Sequence, residues 1–183
     1  MKKILLVFFF VLILVGCKKD NYKAGTVKDG VYTNERLGFK LEPKTTAIRT
    51  GDDAKESSYY TLAANDANKR GNASGFKCDC YIDDSEGEIL VLSEKNSSKL
   101  SMDEFAKKVE DCLKKGILSY NISENSDISV GDITFRHIKG EGLVDVVNYY
   151  ILEDGDRFTY IFHACKKGND NGGNGIVGYI KQI

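Results

Sequence analysis

The dipeptide Asp154-Gly155, which separates two long apolar segments, is the feature that most constrains the fold of this chain. Asp-Gly tolerates a positive φ at both central positions of a two-residue hairpin turn. The flanking segments, Leu143 to Leu152 and Arg157 to Cys165, have the composition of strands. The sequence therefore predicts a long antiparallel β-hairpin in the second half of the chain.

Five further segments are predicted to be strands, because they alternate apolar and polar residues or are continuously apolar between turn signals. They are Leu37 to Leu41, Phe76 to Ile82, Ile89 to Leu92, Ile117 to Ser123 and Ile133 to Gly140. The second and third of these predict a hairpin with a loop of roughly five residues. Alternate residues of the first strand in that hairpin are predicted to share one buried face. Those residues are Phe76, Cys78, Cys80 and Ile82.

The clearest helix is predicted after Ser101. The Ser101 hydroxyl and the Glu104 carboxylate can form a capping box, and the apolar residues that follow recur at helical spacing until Gly116. A looser helical pattern runs from Asp52 to Arg70. A loop rich in Asn, Gly and Ser is predicted from Asn65 to Gly75, and its start overlaps the helical pattern.

The last apolar segment predicts a short closing helix, since Ile176, Ile180 and Ile183 are spaced four and three residues apart. Helices combined with sequential antiparallel strands place the chain in the α+β class. Residues 31–183 are enough for one domain with a sizeable core, and no internal repeat is visible. A single α+β domain is therefore predicted.

The N-terminal residues predict where the protein is located. Two lysines precede an apolar run from Ile4 to Val15, which is typical of a secretory signal and shorter than the ~20 residues that cross a bilayer. Leu14-Val15-Gly16-Cys17 resembles the lipobox of bacterial lipoproteins. That resemblance implies that residues 1–16 are removed as a signal peptide. It also implies that Cys17 becomes the mature N-terminus and carries diacylglycerol and palmitate.

Residues 17–30 are polar and have no periodicity, which predicts a flexible tether between the acylated Cys17 and the domain. The membrane is therefore the first expected partner. The expected location is the extracytoplasmic face of the cell membrane, held by the lipid anchor. Nucleic acid is excluded as a partner, because 26 basic and 27 acidic residues give a formal charge of −1 and no overall basic field.

Four cysteines remain once Cys17 is assigned to lipid, and they allow either two disulfides or four free thiols. Cys78, Cys80, His163 and Cys165 have the ligand types that zinc prefers. However, C-x-C on one strand does not wrap a metal as C-x-x-C does. The aromatic alternation of the later strand also turns His163 and Cys165 away from the face of Cys78. No metal, cofactor or catalytic residue is therefore predicted.

Three other patterns have simple structural interpretations. Gly173 to Gly178 fits G-x-G-x-x-G, but too few residues follow it for a βαβ unit, so a loop is predicted. The acidic loop from Asp83 to Glu88 lacks the ligand spacing of an EF-hand. Tyr149 and Tyr150 are adjacent and predicted to point to opposite faces, with Tyr160 across the hairpin. These tyrosines are predicted either to pack in the core or to line a rim that binds a protein, peptide or glycan.

Several short motifs together carry a family resemblance. They are Tyr32-Thr33-Asn34, Leu37 to Pro43, the capped helix after Ser101, Ser129 to Ile133, and Ile176 to Ile183. These motifs resemble the PsbP-like superfamily, in the form common among small lipoproteins of Gram-positive bacteria. The chain departs from that pattern in having no tryptophan shortly after Pro43. The resemblance implies an antiparallel sheet sandwiched by helices, and it implies no shared catalytic residues.

The sequence therefore predicts a membrane-anchored, extracytoplasmic lipoprotein that binds or scaffolds and is not an enzyme. The expected partners are the membrane and a protein, peptide or glycan ligand. The alternative hypothesis is a redox or metal-binding protein that uses Cys78, Cys80, His163 and Cys165.

Overall fold

The computed structural model describes residues 22–45, 47–170 and 175–183. The predicted signal peptide and Cys17 lie outside these residues, as do Gly173 and Asn174 of the glycine-rich motif. In the described part of the chain, no helix is both apolar enough and long enough to cross a bilayer.

The described residues form eleven β-strands, two α-helices and three short 3-10 turns. The strands are β1 (Thr26–Lys28), β2 (Val31–Asn34), β3 (Phe39–Leu41), β4 (Ile48–Thr50), β5 (Lys77–Asp84), β6 (Gly87–Lys95), β7 (Asn121–Val130), β8 (Ile133–Glu141), β9 (Asp145–Asp154), β10 (Arg157–Lys166) and β11 (Ile180–Gln182). The helices are α1 (Ser58–Lys69) and α2 (Met102–Lys115), and the 3-10 turns are Asp53–Glu56, Ala73–Gly75 and Val177–Tyr179.

The predicted hairpin is confirmed and lies at the centre of the larger sheet. Strands β9 and β10 pair antiparallel along their full length. Their turn residues are Gly155 and Asp156, one residue later than predicted, and Gly155 has a φ of 61°. Hairpin turns with Gly at the first central position need this positive φ. The sheet has seven strands in the order β4-β5-β6-β10-β9-β8-β7.

A β-bulge in β5 separates residues that were predicted to share a face. Cys78 pairs with Leu92 and Cys80 pairs with Val91, so Asp79 is an extra residue between consecutive positions of β6. Cys78 and Leu92 pack on one face of the sheet, whereas Cys80 and Val91 pack on the other. The predicted common face is therefore wrong, because an inserted residue reverses the alternation. The turn after β5 is also shorter than predicted, with two residues.

The two faces of the seven-stranded sheet are covered differently. Helices α1 and α2 pack on one face over a cluster rich in aromatic side chains. A four-stranded sheet, in the order β1-β2-β3-β11, packs on the other face through Tyr32, Phe39 and Ile180. The described chain is thus a single domain of two antiparallel sheets with few helices. Helices were expected on both faces of the seven-stranded sheet. They lie on one face, because the four-stranded sheet, which we call the small sheet, covers the other.

The small sheet includes strands where the sequence analysis expected other structures. The predicted closing helix is instead a 3-10 turn followed by β11, which pairs with β3 at Ile180↔Leu41. A helix of so few residues is marginal on its own, so pairing with an open sheet edge determines the structure. At the other end of the chain, β1 pairs with β2 around Asp29 and Gly30, whose φ values of 51° and 76° suit an Asp-Gly hairpin turn.

The boundaries of two other elements also differ from the predictions. Helix α1 continues through the first part of the predicted loop to Lys69, whose ammonium bonds the buried Asp66 carboxylate at 2.8 Å. Strand β7 begins at Asn121, so the apolar residues just before it form a turn. Helix α2 agrees with its prediction, because Ser101 and Glu104 form both hydrogen bonds of the capping box.

A buried ion pair lies between the helices and the sheet. The Arg70 guanidinium bonds the Glu94 carboxylate, and both side chains are buried. Glu94 also accepts hydrogen bonds from the Tyr160 hydroxyl at 2.7 Å and the Asn72 amide at 3.1 Å. These neighbours satisfy the Glu94 oxygens, whereas Arg70 Nη1 is buried with no hydrogen-bond partner among the described residues. Removing either charge would leave the other buried and unpaired, which is strongly destabilising.

Asp79 connects the two sheets. Its carboxylate accepts hydrogen bonds from the Gly25 backbone N–H at 3.0 Å and the Tyr32 hydroxyl at 2.7 Å. The other carboxylate oxygen is buried without a hydrogen-bond partner among the described residues. Burial raises the pKa of Asp79 to about 6, so the carboxyl binds its proton more tightly in the folded protein than in the unfolded chain.

We predict that Asp79→Asn removes a pH dependence of stability. Asp has a pKa of ~3.9 when unfolded, so a raised folded pKa contributes stability below that value, which is lost as the pH rises through about 6. Urea unfolding at pH 4 and pH 7 should show that the wild-type protein loses on the order of 2 kcal/mol relative to the variant.

Tyr32→Phe provides the control, because it removes a donor to Asp79 but keeps the carboxyl group. This variant should be less stable at both pH values and should lose at least as much stability as the wild-type protein between pH 4 and pH 7, because removing a donor to the carboxylate raises its pKa further. If the Asp79→Asn protein followed the wild-type profile instead, the raised pKa would be wrong.

Candidate functional site

The structure does not bring the four candidate metal or redox residues together. Cys78 faces the helical layer, whereas Cys80 lies on the opposite face of the sheet. Cys80 pairs with Val91 of β6, whereas His163 pairs with Ile89, two residues away on the same strand. All four cysteines of the described chain are free thiols. The two faces of the sheet thus separate the ligands that the alternative hypothesis requires.

The environments of these thiols favour the protonated form. Burial raises the pKa of Cys78 to about 12 and that of Cys165 to about 11. Burial also raises the pKa of Cys80 well above its ordinary value. Because the thiolate is the nucleophile, these cysteines are poorly suited to nucleophilic or redox chemistry at neutral pH.

His163 is a buried member of a polar network. Its Nε2 lies 3.1 Å from the Glu86 carbonyl oxygen, and its Nδ1 lies 3.5 Å from the Asn148 amide nitrogen. The Asn148 oxygen lies 2.9 Å from His137 Nε2, and the His137 ring stacks on Tyr150 at 4.6 Å. Burial lowers the pKa of His163. Both histidines therefore link neighbouring strands inside the core.

The tyrosines predicted either to line a rim or to pack in the core are buried. Tyr149 packs on the helical face and Tyr150 on the opposite face, as their adjacency predicted. The rings of Tyr149 and Tyr160 lie 5.6 Å apart within the helical-face cluster. The core interpretation is therefore confirmed for all three residues.

Two carboxylates of the acidic loop from Asp83 to Glu88 contact other segments of the domain. Asp84 accepts hydrogen bonds from the backbone N–H groups of Thr45 and Glu86 and from the Tyr179 hydroxyl. Glu88 accepts from the hydroxyls of two serines at the start of α1. These interactions attach the hairpin to the segments around it.

A cluster of exposed apolar side chains lies at one end of the seven-stranded sheet. It consists of Ile117, Leu118, Leu143 and Val144, which are 95%, 50%, 90% and 72% exposed. The first two lie between α2 and β7, and the last two lie in the turn between β8 and β9. We call this surface the apolar tip. It contains most of the large exposed apolar side chains in the described residues.

Buried polar contacts hold the two loops of the apolar tip together. The hydroxyls of Tyr120 and Tyr59 both donate to the Asp145 carboxylate, at 2.8 Å and 3.0 Å. Asp145 follows Val144 directly, and Tyr120 follows the other loop. Gly142 leaves room for the Tyr120 ring, since a Cβ there would lie 2.9 Å from a ring carbon. These contacts hold the loops that carry the exposed side chains, and we call them the base of the apolar tip.

Four exposed lysines flank the apolar tip. They are Lys114 and Lys115 at the end of α2, and Lys166 and Lys167 at and after the end of β10. The Lys167 backbone N–H donates to the Val144 carbonyl oxygen at 2.9 Å, which places the second pair beside the β8–β9 turn. The surface therefore combines apolar side chains with lysines, two of which are paired with Glu110 and Glu141.

The sequence analysis missed this surface because it assigned the four apolar residues to strands. Apolar residues in a turn at the end of a strand cannot be distinguished by residue type from those within the strand. The signal that could have revealed the tip is the pair of glycines beside it, Gly116 and Gly142, which favour turns at both places.

The comparisons with known proteins show similarity to solved structures but no family. No protein-family model and no curated protein matches the chain. The chain is similar to the solution structure of the cyanobacterial PsbP protein CyanoP from Synechocystis sp. PCC 6803, with a TM-score of 0.48 and 10% sequence identity. The match covers 89% of this chain and 99% of that chain. Functional arguments therefore rest on the residues of this chain.

We predict that Gly142→Ala destabilises the base of the apolar tip. A Cβ at this position would collide with the Asp145 carboxylate and the Tyr120 ring. Urea unfolding should show a loss of about 2 kcal/mol, as is typical of overpacked sites. Gly178→Ala is the matched control, because a Cβ there meets nothing within 4 Å and should change stability by less than ~0.5 kcal/mol. Equal effects of the two substitutions would contradict this role of Gly142.

Proposed function

We propose that this chain is a membrane-anchored, extracytoplasmic binding module that docks a partner on the apolar tip and is not an enzyme. The exposure of Ile117, Leu118, Leu143 and Val144 at one end of a rigid sheet carries this proposal. Burying one such side chain contributes ~1.5 to 3 kcal/mol, so four of them can form the centre of a binding surface.

The anchor in this proposal is supported by the sequence. The apolar run from Ile4 to Val15 ends in the lipobox-like Leu14-Val15-Gly16-Cys17, and polar residues follow it. Acylation at Cys17 would hold the domain on the membrane, because two or more acyl chains bind stably where one does not. The PsbP-like assignment remains part of the proposal on its sequence motifs.

The alternative redox or metal function is less well supported by the geometry. Cys78 is separated from Cys80, His163 and Cys165 by the thickness of the sheet. Burial also keeps the thiols protonated.

We predict that Cys17→Ala abolishes anchoring. The wild-type chain, produced in a bacterium that processes lipoproteins, should be found in the membrane fraction with its N-terminal peptide acylated. The variant should accumulate as an uncleaved chain without lipid, as measured by intact mass. Cys112→Ala is the control, since this half-buried thiol lies in α2 and should leave processing unchanged. Normal processing of the Cys17 variant would exclude the lipid anchor.

We also predict that the apolar tip is in contact with a partner in living cells. The photo-crosslinking residue p-benzoylphenylalanine would replace Ile117 or Leu143 in the full chain. Adducts of defined mass should form at both positions. Ile183 is the control position, because it is 60% exposed but lies away from the tip at the end of β11. Crosslinking no stronger at the tip than at Ile183 would contradict the proposed function.

A further inference from the structure

We infer that the partner of the apolar tip is a protein whose contact surface is an apolar hollow bordered by carboxylates. This inference rests on the proposed function, and it identifies the kind of partner that the same surface would bind. It follows from the unpaired lysines beside the tip and from the position of the tip relative to Tyr22.

The lysines at the border of the tip that form no ion pair among the described residues are Lys115 and Lys166, and both are exposed beside the two loops. Lys114 pairs with Glu110 at 3.1 Å and Lys167 lies 4.0 Å from Glu141, so those lysines are balanced by acids. Asp145 is partly buried and accepts hydrogen bonds from two tyrosine hydroxyls, which leaves Lys115 and Lys166 as the accessible unpaired charges. A partner with carboxylates around an apolar centre complements this arrangement, and such complementarity also favours rapid association.

The tip and Tyr22, the first described residue, lie at opposite ends of the domain. The Tyr22 ring lies 4.9 Å from the Arg157 guanidinium, at the first residue of β10, whereas the tip lies beside the last residues of β10. Strand β10 has 10 residues, which at ~3.3 Å per residue separates the two ends by about 30 Å.

This separation argues against the anchoring membrane as the partner. The chain from Cys17 to Tyr22 spans at most ~17 Å when fully extended. If the tip entered the same bilayer with the strands upright, Tyr22 would lie about 30 Å above it, beyond the reach of the tether. The anchored domain therefore presents the tip away from its own membrane, where a partner protein is accessible.

The test combines photo-crosslinking at Leu143 with charge reversal in the full chain. In producing cells, the adduct should contain a protein, and the crosslinked peptide should place an apolar residue near Asp or Glu. Lys115→Glu with Lys166→Glu should reduce the adduct at least about fivefold, because like charges then oppose each other. Lys28→Glu with Lys77→Glu, at exposed positions far from the tip, changes the net charge equally and should leave the adduct within about twofold.

The other outcomes separate this inference from the proposed function. An adduct with phospholipid or glycan would overturn the inference but leave a binding role for the tip. A protein adduct unaffected by the charge reversal would also overturn it, since the carboxylate border would then be absent. No adduct at Leu143 or Ile117 would contradict the proposed function itself. All variants should first show the wild-type urea midpoint, so that a loss of contact is not a loss of folding.

Discussion

The extra residue in β5 determines how the two layers of this protein are assembled. In a regular strand without the bulge, Cys78 and Cys80 would face the same side of the sheet, and the apolar residues after Asp79 would point toward the helices. With it, Cys80 and Ile82 face the small sheet and complete its core. The inserted side chain then bonds Gly25 and Tyr32, so the residue that redirects the strand also attaches the second sheet to it.

The candidate binding surface depends on the same long strands, at their other end. Strands β7, β8 and β9 stop in register there, and two tyrosine hydroxyls on Asp145 fix the loops between them. The histidines, cysteines and tyrosines that the sequence suggested as metal-binding, redox or ligand-binding residues instead pack within the domain. The exposed apolar side chains are therefore the part of this domain that its own packing does not explain.

Local signals in the sequence predicted some elements well. Gly155 fixes the central hairpin, and Ser101 with Glu104 fixes the start of α2, because each signal acts through its immediate neighbours. The bulge at Asp79 could not be predicted, since it is defined only by pairing with β6. The strand at Ile180 was missed for a similar reason, because isoleucines four and three apart suit either a helix or a strand that finds an edge. The apolar tip was missed because exposure is a property of the assembled domain.

The position of Tyr22 and the apolar tip at opposite ends of β10 has a mechanical consequence. A force applied between a fixed membrane and a partner held at the tip would act along the strands of the large sheet. In the proposed anchored arrangement the load would enter at Tyr22 and first reach the Gly25–Asp79 hydrogen bond and β1, which pairs with β2 over three residues. These contacts would therefore bear the force before the longer pairings between β6, β10 and β9. Asp79, which bonds both Gly25 and Tyr32, lies on that path between the small sheet and the large one.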